Sequence, residues 1–217
     1  MRVGWPDPRR DAGYDAPVLV GDSSAALRRG IRLEVFTVIW MVVEAALAIG
    51  AGIAARSVLL TGFGLDSVIE LVSGVTLLWR LSSKATDIEG VERRATKISA
   101  VLLLLLCAYL LVFGVGGLVV GLRPEGSVLG LAVAAVAVVV MPVLAWQKGR
   151  VNATIGSAAL RADVAETITC ASIAAATLVG VGLNLLFGWW WAEYVAALAL
   201  LVYVAMETKE AIEAARS

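Results

Sequence analysis

The sequence predicts an all-α membrane protein of six transmembrane helices, built as an inverted three-helix repeat with both termini in the cytoplasm. Three observations carry that prediction. The first is composition: of 217 residues, 60% are apolar and 17% charged, with a mean hydropathy of +0.87. Soluble domains run at about 45–50% apolar and about 25% charged, so this chain has too little polar surface to cover its apolar volume in water. The second is the number of apolar stretches long enough to cross a bilayer. The third is the placement of Lys and Arg between them.

A membrane helix needs about 20 mostly apolar residues. The segments that qualify are Val35–Ala55, Ser57–Trp79, Ile98–Leu122, Val128–Trp146, Ser157–Phe187 and Trp189–Met206. Ahead of them stands a polar stretch that includes Asp7-Pro8-Arg9-Arg10-Asp11. A secretory signal carries its apolar run much nearer the start, so residues 1–31 are expected to form a cytoplasmic tail. The membrane domain is expected over 32–207, and a short charged helix end over 208–217.

Lys and Arg set orientation. The tail and the start of helix 1 carry Arg2, Arg9, Arg10, Arg28, Arg29 and Arg32. The loop after helix 2 carries Arg80, Lys84, Arg93, Arg94 and Lys97, the loop after helix 4 Lys148 and Arg150, and the end Lys209 and Arg216. The opposite loops hold only Arg56 and Arg123. Both termini are therefore expected inside a cell membrane that the chain crosses several times. Trp79 and Trp146 then fall at the inner interface and Trp189, Trp190 and Trp191 at the outer one, where indole rings favour the headgroup level.

Several function classes drop out. The 18 basic and 18 acidic residues cancel, so no excess basic charge points to nucleic acid. With no histidine in the chain, the commonest metal ligand and general base is missing. Cys107 and Cys170 lie in apolar stretches without zinc-finger spacing. No nucleophile–base pair and no soluble catalytic loop can be found, so an enzyme is not expected, and no bound cofactor is implied.

Acids inside a membrane are costly and usually functional. Helix 2 runs from Ser57 through Asp66 to Glu70, and helix 5 from Ser157 through Asp163 and Glu166 to Cys170. The two align without a gap at an offset of 100 residues: Ser57 on Ser157, Asp66 on Glu166, Glu70 on Cys170. Three crossings apart, these helices run in opposite directions, as in the inverted repeats common among secondary transporters. Nine residues separate each serine from its acid, about 13 Å at 1.5 Å per residue. Counted from opposite faces, both acids lie about halfway through a core of about 30 Å. Residues four apart share a helix face. Asp66, Glu70, Glu166 and Cys170 can thus present four ligands, and three carboxylates with a thiolate suit a divalent cation, tetrahedral Zn²⁺ above all.

At these residues the sequence resembles the cation diffusion facilitator family. Its members carry a serine, small and apolar residues, then two metal ligands four apart, on both helix 2 and helix 5. The run Ser157-Ala-Ala-Leu-Arg-Ala-Asp163-Val-Ala-Glu166 is similar to the family's helix 5, and Gly188-Trp-Trp-Trp-Ala-Glu193 to its helix 6. The resemblance covers about Arg32 to Ala214. It implies a metal–proton antiporter with its transport site at Asp66, Glu70, Glu166 and Cys170, carrying Zn²⁺ or alternatively Mn²⁺, Fe²⁺ or Cd²⁺ as substrate. Helix 5 of the family offers His or Asp where this chain has Glu166, and Asp where it has Cys170. The chain reads as a short form without the family's C-terminal cytoplasmic domain.

Other residues take subsidiary readings. Asp163 shares a face with Glu166 and is expected to support or gate the site rather than ligate. Glu44, near the middle of helix 1, is a candidate proton relay. Glu193 is expected as an exposed acid at the outer start of helix 6, and Arg161 to reach the cytoplasmic headgroups. Gly117 and Gly121 form a GxxxG spacing that permits a homodimer through membrane helices. Two other functions compete with metal export: proton-coupled export of organic cations, and metal binding in the membrane without transport.

Overall fold

The computed structural model describes residues 20–82 and 88–216. They form six helices: α1 (Val20–Ala55), α2 (Val58–Ser82), α3 (Ile88–Val120), α4 (Val128–Ile155), α5 (Ala158–Phe187) and α6 (Trp190–Arg216). No strand occurs among the described residues. Most of the tail lies outside them, with Arg2, Arg9 and Arg10, as do Lys84 and Ser217. Five of the helices contain spans long and apolar enough to cross a membrane, which fits a multi-pass membrane protein. The apolar part of α6, Trp190–Met206, is shorter.

Local chemistry fixes the helix ends. Ser57, the residue before α2, accepts a hydrogen bond from the Leu60 amide at 3.1 Å, and Ser157 one from the Leu160 amide at 3.3 Å. The two serines that open the repeated motifs are therefore N-caps of α2 and α5, each satisfying a first-turn N–H that the helix itself cannot pair. Gly156 and Gly188 close α4 and α5 with φ of 68° and 66°, the left-handed cap geometry that favours glycine. Arg56 holds the same region at φ 52° in the α1–α2 turn.

The centre of the bundle is made by α1, α2, α4 and α5. The first packs along α2 and α4, α2 lies against α5, and α3 and α6 pair beside them. At Gly64 a methyl group would stand 2.8 Å from the Ile49 backbone nitrogen, so α1 and α2 meet backbone to backbone at the level of Asp66. A methyl on Gly180 of α5 would meet Leu59 of α2 at 2.6 Å and Ala196 of α6 at 2.9 Å. Leu59 thus faces Gly180 early in α2, while Asp66 faces Cys170 further on. As α2 advances, α5 runs back past it, so the two helices are antiparallel.

One end of the bundle is tied by a buried polar network. Glu193 accepts hydrogen bonds from the Ser57 hydroxyl and, at 2.7 Å, from Asn184 Nδ2. Asn184 also donates to the Pro124 carbonyl at 3.1 Å, and Tyr194 donates its hydroxyl proton to the Leu122 carbonyl at 2.9 Å. This corrects the expectation for Glu193, which is 2% exposed rather than facing water. A carboxylate at the first turn of a helix is favoured by the N-terminal dipole, and here it also joins α2, α5 and α6. The GxxxG pair likewise has an intrachain explanation. A methyl on Gly117 would meet the Tyr194 oxygen at 2.7 Å, and Gly121 ends α3 at φ 72°.

Candidate metal centre

Asp66, Glu70 and Cys170 each bring a ligand atom within 4.8 Å of the other two. Tetrahedral ligands at about 2.0–2.3 Å from one ion stand about 3.3–3.8 Å apart, so the three side chains would have to draw closer to share one. Helix geometry explains the grouping. Asp66 and Glu70 are one turn apart on one face of α2, and Cys170 comes from the antiparallel α5. Both Asp66 and Cys170 are buried, at 3% and 0% exposure. Glu70 Oε1 has no hydrogen-bond partner among the described residues. Two carboxylates one turn apart repel when both are ionised, and either protons or a cation relieves this.

Glu166, the fourth expected ligand, is not in that group of three. It sits one turn before Cys170, half-buried, where it lines a cavity of about 10 Å³ with Glu70, Asp163, Thr37 and Gly74. The antiparallel register accounts for the separation. Asp66 stands level with Cys170, and Glu70, one turn further along α2, approaches the level of Glu166 one turn back along α5.

Glu44 reaches the cluster from α1. Its Oε1 accepts a 2.7 Å hydrogen bond from Ser67, the neighbour of Asp66, and lies 3.9 Å from Cys170 Sγ. Its Oε2 accepts from the Trp40 indole at 2.6 Å. Glu44 is fully buried, so an acid from a third helix borders the cluster without belonging to the mutually close three.

Asp163 has a partner that the sequence reading missed. Lys148 Nζ lies 2.7 Å from Asp163 Oδ2 and 2.9 Å from Glu34 Oε2. Lys148 is 1% exposed and Glu34 0%. Counting Lys148 among the inner loop charges is therefore corrected. α4 continues past Trp146 to Ile155, and its turns carry Lys148 inward while Arg150 stacks over the Trp146 ring at 5.0 Å. A signal for Glu34 was present. The buried positions of α1 include Glu34, Thr37, Met41, Glu44, Ala48, Ala51 and Ala55, a helical stripe that takes in both acids. Arg161 is exposed.

No protein-family model matches the chain, and no curated protein matches it.

Proposed function

We propose that this chain is a secondary transporter of the cation diffusion facilitator kind, exporting a divalent metal, Zn²⁺ foremost, in exchange for protons. The observation that carries the proposal is the convergence of Asp66, Glu70 and Cys170 from two antiparallel helices, deep in an apolar bundle. Such groups are expensive to bury, and ionisable residues at this depth in membrane proteins mark ion pathways. A cation binding there displaces protons from the ligands, and returning protons reset them. The motif resemblance on helices 2 and 5 supports the same reading.

The remaining parts of the proposal follow. Six crossings require α6 to span as well. Its apolar part is about 25 Å long at 1.5 Å per residue, short of a core of about 30 Å but within the range that local thinning accommodates. The matched serine caps of α2 and α5, and the packing of α1 on α2 and of α4 on α5, speak for an inverted repeat. Alternating access then rocks the repeats around the site. Exposed Arg28, Arg29, Arg32 and Lys97 favour the cytoplasm of a cell membrane for the end where α1 begins. The cavity beside Glu70, about 10 Å³, holds about one water or ion, which favours a metal over an organic cation.

The test is uptake by proteoliposomes under an imposed pH gradient, comparing Zn²⁺, Mn²⁺, Fe²⁺, Cd²⁺ and an organic cation. Wild type is expected to move at least one metal against the proton flow, and Asp66→Ala to abolish it. Equal metal flux with and without protein overturns the proposal. Metal binding without flux identifies a membrane metal-binding protein instead, and flux of the organic cation alone the organic-cation exporter.

A further inference from the structure

The buried triad of Glu34, Lys148 and Asp163 is separate from the metal cluster. Glu34 stands ten residues before Glu44 on α1, and Asp163 seven before Cys170 on α5. At 1.5 Å per residue these are about 15 Å and about 10 Å toward the end where α1 begins and α4 turns into α5. Two carboxylates share one ammonium there, which leaves one negative charge in excess when both are ionised. Glu34 Oε1 has no hydrogen-bond partner among the described residues. It points at Gly74, where a methyl would come within 2.9 Å of it. Gly74 and Asp163 both line the cavity that also touches Glu70 and Glu166. Asp163 of the triad and Glu70 of the cluster therefore line one small cavity.

Stability alone is a weak reason for such a triad, because packed apolar residues often replace buried ion pairs without loss. Charge supplies a better one. A divalent cation balances two carboxylates fully, whereas one ammonium balances half of that charge. Lysine is a compact cation on a flexible four-carbon stem, able to leave and return. We propose that Glu34 and Asp163 form a second divalent-cation site, filled in this conformation by the Lys148 ammonium and by the travelling ion when Lys148 swings away. The proposal rests on the transport reading above for its role, and on the triad alone for its binding chemistry.

Two measurements test it on the full chain. In the first, Cd²⁺ bound per chain is counted by equilibrium dialysis in detergent. Lys148→Met is expected to hold one more Cd²⁺ than wild type, and Lys148→Met with Glu34→Gln and Asp163→Asn to lose that extra ion. A folded Lys148→Met protein with the wild-type count overturns the site. The second uses Glu34→Gln, which leaves Lys148 and Asp163 balanced one to one. Its KM for Cd²⁺ applied from the α4–α5 side is expected to rise about tenfold, as for the loss of one charged contact. Cd²⁺ affinity of the central cluster, read from the Cys170 thiolate charge-transfer band, should stay within about twofold, since distant sites act nearly independently. An unchanged KM, or a KM that moves in step with the central affinity, overturns the proposal. Wild-type protein without flux defeats the transport reading instead, and the dialysis count still decides the site.

Discussion

Ser67 of α2 donates a 2.7 Å hydrogen bond to Glu44 of α1, two fully buried side chains that join the helices beside Asp66. The same hydroxyl lies 3.1 Å from the Phe63 carbonyl. The bond fixes α1 against α2 at the depth of the cluster, where Gly64 already lets the two backbones touch. Ser67→Ala leaves Glu44 Oε1 with only the Cys170 thiol at 3.9 Å. Leaving a buried acceptor without its hydrogen-bond donor costs about 1–3 kcal/mol. Thermal unfolding in detergent should therefore show a lower midpoint than wild type. An unchanged midpoint would mean that the contact contributes nothing net.

If the proposed metal transport is right, Cys170 should set metal preference. Thiolate is a soft ligand that favours Zn²⁺ and Cd²⁺ over Mn²⁺, whereas carboxylates suit Mn²⁺. Cys170→Ser should weaken Zn²⁺ and Cd²⁺ binding much more than Mn²⁺ binding, by about tenfold or more relative to it. Cys170→Asp, which makes the set all-oxygen, should shift selectivity toward Mn²⁺. Titration calorimetry with the three metals measures both. A small, uniform change across all of them would return Cys170 to a packing role.

Much of this arrangement was legible in the sequence, for reasons that can be located. Long apolar runs read as helices because bilayer thickness sets their length. Asp66 and Glu70 stood out because acids are rare in such runs and a spacing of four puts them on one face. Cys170 came from the repeat, which aligned it with Glu70. What escaped depended on partners distant in sequence. Lys148 looked like a loop charge because the apolar run stops at Trp146, yet the helix continues and its partners sit on α1 and α5. Glu193 looked exposed because its hydrogen-bond donor Ser57 lies 136 residues away. The separation of Glu166 from the other three follows from register, which the spacing alone does not give.

Asn184 should matter to the opposite end of the bundle. Its amide donates to Glu193 at 2.7 Å and to the Pro124 carbonyl at 3.1 Å. Asn184→Leu removes both donors and leaves Glu193 with Ser57, at an expected cost of about 1–3 kcal/mol. Asn184→Asp should be worse, because it sets a second carboxylate against the first. Protease resistance and thermal unfolding in detergent should rank the three proteins as wild type, then Leu, then Asp. If Asp equals or exceeds Leu, Glu193 does not carry a charge in the folded protein.

Proton competition gives the last prediction, with its sign fixed by the ligand set. In the proposed site a metal would be held by carboxylates and a thiolate, so whatever protons Asp66, Glu70 and Cys170 carry would have to leave when it binds. No histidine is present to take part, so the protons come from these three groups and the neighbouring acids Glu44 and Glu166. Apparent metal affinity must then fall as the medium becomes more acidic. The slope of its logarithm against pH equals the number of protons released. Glu70→Gln keeps the shape of the side chain but removes one titrating group, so it should lower both the affinity and that slope. Calorimetry in two buffers of different ionisation enthalpy, from about pH 6 to about pH 8, counts the released protons directly. In vesicles with an internal pH dye, metal leaving the cytoplasmic side should be matched by protons moving the other way. Affinity that is flat across this pH range, with metal flux and no opposing proton movement, would make the protein a uniporter.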